Sequence, residues 1–153
     1  MTLCFSQPQV AAVYAATRNT KARAYVSPFV GRLDDIGQNG MDLIKNAKRM
    51  LSKADGHVRV LAASIRSVEQ LLYCFFLETD LATVPARILE KWAQDGFPMP
   101  SDTFVYESTG QPIPYQEIGL DRPWESYDLR HELTDKGLEK FAEDYRKTVV
   151  SGD

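Results

Sequence analysis

Residues 58–77 read Val58-Arg59-Val60-Leu61-Ala62-Ala63-Ser64-Ile65-Arg66-Ser67-Val68-Glu69-Gln70-Leu71-Leu72-Tyr73-Cys74-Phe75-Phe76-Leu77. The opening run, Val58–Ala63, is short and mostly apolar, as a buried strand requires. Ser67 followed three residues later by Gln70 has the form of a capping box. Val68, Leu71, Leu72 and Phe75 then recur at helical spacing. Strand followed directly by helix is a βα unit, and the same alternation extends outward in both directions. Further strand-like runs lie at Thr2–Phe5, Ala24–Val30 and Leu81–Val84. Helical patterns follow at Gln9–Thr17 (Val10, Val13 and Tyr14 inward) and Met41–Leu51 (Ile44, Ala47 and Leu51 on one face). A fourth opens at Pro85 and carries Ile88, Leu89 and Trp92.

Four such units predict a parallel sheet in residues 1–95. A closed (β/α)8 barrel typically needs about 250 residues, whereas this chain has 153. Parallel sheets are normally covered and closed, and open edges invite a partner. The fold expected is therefore α/β, half of a TIM barrel completed by a second chain or by a copy of itself, and so an oligomer. Five of the eight prolines fall between Gly96 and His131, which marks residues 96–132 as a long ordered loop. Its aromatics, between Val105 and Tyr127, serve either a ligand groove or packing onto the domain. Residues 133–153 form a last helix and tail, with Thr134 as N-cap and Leu138, Phe141 and Tyr145 at helical spacing as far as about Val149.

Composition narrows the function. Eighteen basic residues against 21 acidic ones give a formal net charge of −3. No basic run suggests nucleic acid or a membrane surface, so small-molecule work is expected. Cys4 and Cys74 read as buried thiols, and His57 and His131 as surface histidines. With no charged leader before an apolar stretch and no run of ~20 apolar residues, a cytoplasmic protein is expected. Neither a metal nor a nucleophilic triad pattern emerges, and no cofactor is implied.

Barrel enzymes place their sites at the C-terminal ends of strands. Ser27-Pro28-Phe29-Val30-Gly31-Arg32-Leu33-Asp34-Asp35-Ile36-Gly37 there brings together a hydroxyl, an aromatic ring and a guanidinium. Arg32 suits an anionic oxygen cluster, and equally a surface pair with Asp34 or Asp35. Ser64 and Arg66, just ahead of a helix N-terminus, make a second candidate anion cradle.

Those two segments, with Asp80-Leu81-Ala82-Thr83-Val84-Pro85 and Leu133-Thr134-Asp135-Lys136-Gly137-Leu138-Glu139-Lys140-Phe141, resemble the transaldolase family, in the family's order. Thr2-Leu3-Cys4-Phe5-Ser6-Gln7 is similar to its fifth strand. The resemblance covers residues 1–95 and 133–147, leaves the Pro-rich stretch outside, and makes this chain strands five to eight of the barrel with a Pro-rich insertion and a C-terminal helix. It implies class I chemistry, in which a lysine forms a Schiff base with a ketose phosphate and a dihydroxyacetone unit passes to an aldose phosphate, a step of the pentose phosphate pathway. By motif, Thr2 would orient the catalytic water and Ser27 would contact the donor. Arg32, Ser64 and Arg66 would bind phosphate. Phe29 stands where transaldolases have Phe and fructose-6-phosphate aldolases have Tyr. The family's lysine lies on the fourth strand, upstream of these residues. Lys21, Lys45, Lys48, Lys53, Lys91, Lys136, Lys140 and Lys147 all read as helix or loop, so this chain alone is expected to be inactive. A non-catalytic sugar-phosphate-binding or assembly module and an aldolase-like lyase are the rival readings.

Overall fold

The computed structural model describes residues 1–150. Three strands, β1 (Ala24–Val26), β2 (Val58–Ala62) and β3 (Leu81–Ala82), lie side by side in chain order and all run parallel. Ala24 stands opposite Val58, and Leu61 opposite Leu81. The expected first strand survives as a single parallel bridge, Cys4 to Pro28, made by Cys4 N–H on the Ser27 carbonyl (3.2 Å) and Phe29 N–H on the Cys4 carbonyl (3.1 Å). Leu3 has φ 54°, a left-handed backbone that interrupts the extended run before a longer ladder can form.

The second run is also shorter than its apolar character suggests. Pairing continues past Val26 through the Phe29–Ala63 bridge, but Pro28 brings no N–H to a ladder, and Val30 opens a short helix, α2 (Val30–Asp35). Arg32 therefore stands on a helix packed against the strand ends. Between β1 and β2 lies α3 (Gly40–Leu51), and ahead of β1 lies α1 (Gln7–Thr17), which starts two residues earlier than its periodicity indicated. There the Ser6 hydroxyl accepts from Gln9 N–H, and Pro8 falls in the first turn, where no N–H is missed.

After β2, α4 (Val68–Phe76) has Ser67 as its cap, accepting from Gln70 N–H. The reciprocal half of the box is absent, because the Gln70 side chain bonds elsewhere. Leu71 is buried and Phe75 is exposed, so the apolar stripe is only partly covered. After β3, α5 (Ala86–Gln94) buries Ile88.

Residues 96–131 hold no regular element beyond one 3-10 turn at Trp124–Ser126, yet they are tied down. Asn46 donates to the Ile113 carbonyl (2.8 Å), Asp42 accepts from Ile113 N–H (3.0 Å), and Gln7 bonds both Pro114 and Gln116. Tyr127 is buried with its hydroxyl on the Gly119 carbonyl (2.6 Å). These bonds satisfy backbone groups that no ladder pairs.

The last helix, α6 (Glu132–Val150), begins ahead of Thr134, which corrects its reading as N-cap. The Thr134 hydroxyl is engaged by tertiary partners instead, donating to the Leu3 carbonyl (3.0 Å) and accepting from Gln9 (2.9 Å). Leu138, Phe141 and Tyr145 are exposed, so their stripe does not join the core. The expected tail, residues 151–153, lies outside the described residues.

The core sits on one face of the sheet. Val26, Val58, Val60 and Ala62 are buried with Val10, Ile44 and Ala47 from α1 and α3. On the other face Tyr25 and Leu81 remain 41% and 44% exposed. Both cysteines are buried and unpaired, and burial pushes the Cys4 thiol up to about 12 and Cys74 up to about 11.

Candidate active-site half

The C-terminal ends of β1 and β2 converge on α2. Val30 N–H donates to the Ala63 carbonyl (3.0 Å) and Gly31 N–H to the Ser64 carbonyl (3.2 Å), which hangs the first turn of α2 from the end of the neighbouring strand. The approach is so close that a Cβ at position 31 would lie 2.5 Å from the Ser64 oxygen and against the Arg66 side chain; glycine is required there. Ser64 itself has φ 62°, a left-handed turn that ends the strand and redirects the chain toward α4.

Two guanidiniums stand beside α2, held by different means. That of Arg32 lies 5.4 Å from the Phe29 ring centroid and 5.8 Å from that of Phe141 on α6. Gly137 lets α6 come this near, since a Cβ there would meet Leu3 at 2.7 Å and Arg32 at 3.1 Å. Arg66 instead donates from both Nη atoms to the Asp35 carboxylate, with Nη2 to Oδ2 at 2.6 Å. Those hydrogen bonds hold the Asp35 carboxyl below the usual range; the small burial cost opposes them, and the charges of Arg66 and Arg32 add to the effect. Phe29 is half-buried, edge-on to Phe5 at 6.1 Å.

Ser27 is buried, its backbone bonded to Met1 and Cys4. Thr2 is exposed beside it. The structure thus groups Arg32, Ser64, Arg66 and Phe29 around α2, with Ser27 one bridge away and Thr2 at the open edge. Each of the eight lysines lies on a helix or a loop, none on a strand.

Three residues take on contacts that their sequence reading did not include, His131 and Gln70 near this end and His57 at the opposite, N-terminal end of β2. His131 stacks on Phe5 at 5.2 Å, its Nδ1 accepts from Leu133 N–H (3.2 Å), and burial lowers its pKa. His57 bonds Asp55 (2.5 Å) and Thr17 (3.0 Å) and packs on Tyr14. Neither is the surface histidine expected, because each covers an aromatic ring. Gln70, legible only as half a capping box, is buried and bonds Arg66 and Asp34. Among the described residues no group of three or more His, Cys, Asp or Glu could hold a metal ion, and no helix is long and apolar enough to cross a membrane.

A model of the transaldolase/fructose-6-phosphate aldolase family matches residues 1–151. The chain belongs to this family. A probable transaldolase of Maricaulis maris is 36% identical over 153 residues, 99% of this chain and 51% of that protein. One from a Chelativorans species is 34% identical over 149 residues, 97% of this chain and 49% of that protein, and one from Bacteroides thetaiotaomicron is 36% identical over 123 residues, covering 80% and 40%. The chain thus spans about half the length of the curated relatives it matches.

Proposed function

We propose that these residues form the sugar-phosphate-binding half of a transaldolase-type (β/α)8 barrel, strands five to eight, completed by four further βα units in a longer chain or a separate one. The observation that carries this reading is the sheet with one face buried by helices and the other open. Parallel sheets are covered on both sides, so the open face needs an occupant. In the completed barrel Tyr25, Arg59, Leu61 and Leu81 would turn toward the lumen, and the crevice around α2 would stand at the catalytic mouth. A lysine on a strand of the other half would attack the ketose carbonyl, losing water to give the Schiff base. Thr2 would orient the water, Ser27 would contact the donor, and Arg32, Ser64 and Arg66 would hold the phosphate. Phe29 favours dihydroxyacetone transfer between sugar phosphates over the aldolase-like reaction. A cytoplasmic place in the pentose phosphate pathway goes with this reading, as does self-association when no partner covers the open face.

Borohydride trapping with fructose 6-phosphate tests it. The chain alone is expected to give no covalent adduct. Fused behind the upstream half of the Maricaulis maris relative, it is expected to give one. In that fusion Arg32→Ala or Arg66→Ala should weaken a phosphorylated substrate about ten- to a hundred-fold and an unphosphorylated analogue far less, since a charge-assisted contact is worth roughly 1.5–3 kcal/mol. An adduct on the isolated chain, or equal losses for both substrates, would overturn the proposal.

A further inference from the structure

We propose that Asp35 is a specificity residue: a built-in carboxylate that fills the Arg66 fork until a dianionic phosphate displaces it, and so excludes monoanions. The inference rests on the reading of Arg66 as a phosphate ligand and adds a partner to it.

The geometry of Arg66 leaves little else for Asp35 to do. Both Nη atoms point at its carboxylate, while the Nε edge of the guanidinium lies against Gly31, where even one added carbon would collide. The parallel donor pair that an oxyanion needs is thus already occupied. An incoming phosphate must take the place of Asp35. That carboxylate stands on α2, three residues beyond Arg32, and feels both guanidiniums. Whatever replaces it faces two cations.

The backbone of Arg66 does not depend on Asp35 for its position. Its backbone N–H donates to Gln70 Oε1 (2.8 Å), and the Gln70 Nε2 donates to Asp34 Oδ2 (2.7 Å). The other Asp34 oxygen accepts from Gly40 N–H (2.9 Å), at the start of α3. Gln70 is only 4% exposed, so this chain of bonds roots the Arg66 backbone in the interior and leaves its side chain, 41% exposed, to reach an anion. The Asp35 side chain is 55% exposed and can swing into water at little cost.

Charge then sets the selectivity. With Asp35 in place, its single charge answers the fork of Arg66 and feels Arg32, while Asp34, held by Gln70 and Gly40, already adds a fixed negative charge near Arg66. A phosphate dianion neutralises both cations, whereas a free carboxylate offers no more charge than Asp35, which is tethered and therefore present at high effective concentration. Dianions displace it and monoanions do not.

The test titrates inorganic phosphate and, separately, acetate into the full chain while following the Arg66 Nε resonance and the heat of binding. Wild type is expected to bind phosphate and ignore acetate. Asp35→Asn should bind phosphate about two- to fivefold more tightly, the worth of releasing one exposed ion pair, and should gain acetate binding. Asp35→Ala should change in the same direction, and Arg66→Ala should abolish binding of both ions. A merely structural Asp35 predicts the opposite sign. Phosphate binding that needs Arg66 but is unchanged or weaker in both Asp35 variants overturns the gate and leaves the phosphate site standing. Phosphate binding absent from wild type, or indifferent to Arg66→Ala, removes the phosphate reading of Arg66 and the gate with it.

Discussion

The two faces of one small sheet lie in different environments. Toward the helices, Val26, Val60 and Ala62 are fully buried and Val58 nearly so, closed over by Ile44, Ala47 and Val10. On the opposite face Tyr25 and Leu81 are more than two-fifths exposed, and Arg59 sits between them in register with Tyr25. Same strands, same pleat, opposite solvents: the covered face holds residues 1–95 together, and the open face adds little to that. Burial of apolar area stabilises only where there is something to bury against.

The largest expected effect sets the faces against each other. Ile44→Ala removes a fully buried side chain beneath the covered face and should cost ~2–5 kcal/mol. Leu81→Ala on the open face should cost within about 0.5 kcal/mol of nothing in the monomeric chain, at protein concentrations low enough to prevent self-association. Urea denaturation of the two variants checks this. A Leu81→Ala penalty as large as that of Ile44→Ala would break the comparison, by meaning that the open face is covered in solution. In a completed barrel the Leu81 penalty should climb toward the Ile44 value.

A second prediction concerns the crevice where the faces meet at the strand ends. Gly31→Ala would place a carbon 2.5 Å from the Ser64 carbonyl oxygen, which is backbone and cannot rotate away. Crowding of this kind costs roughly 1–3 kcal/mol. It should also push α2 off the end of β2 and lower phosphate affinity. A thermal melt together with a phosphate titration checks both, and a variant as stable as wild type would mean that α2 does not hang from Ser64 as described.

This contrast also marks how far the sequence alone could be read. The βα alternation was legible because periodicity records burial, and Val58–Ala62 with Val68–Phe76 carries both periods in one stretch. Six-residue α2 was not, since fewer than two turns hold no measurable period and Val30 reads equally as the end of a strand. The site arginines could be picked out as cations just past strand ends. Their partners could not, because the choice between adjacent Asp34 and Asp35 is a matter of helical phase: one turns to Gln70 and Gly40, the other to Arg66. Thr134 was misread for a related reason. A hydroxyl near a helix start serves its own backbone or a distant carbonyl, and only the fold brings Leu3 within reach.

The smallest expected effect belongs to Asp80, which ties the two faces together. Its carboxylate accepts from Arg59 on the open face (2.7 Å), from Lys48 of α3 on the covered side (3.3 Å) and from Val60 N–H (3.0 Å). Burial pushes this carboxyl up, but the Val60 N–H, Arg59 and Lys48 together outweigh it and leave the group below its ordinary value. A depressed folded-state pKa contributes stability that is fully present above the unfolded value, about 3.9 for Asp, and is lost as pH falls through the folded value. Asp80→Asn keeps the shape and one acceptor but removes the charge. It should cost about 1 kcal/mol near neutral pH, at the upper end for a partly exposed pair, because the Arg59 side chain is still 40% exposed. Below about pH 4 the penalty should shrink toward zero, since wild type then loses the same charge. Other carboxylates held low, Asp35 among them, titrate alike in both proteins and cancel in the difference. Paired urea melts at neutral pH and near pH 3 measure that difference directly. A penalty that stays constant across this range would show that Asp80 acts through shape alone and that the junction between the faces is not electrostatic.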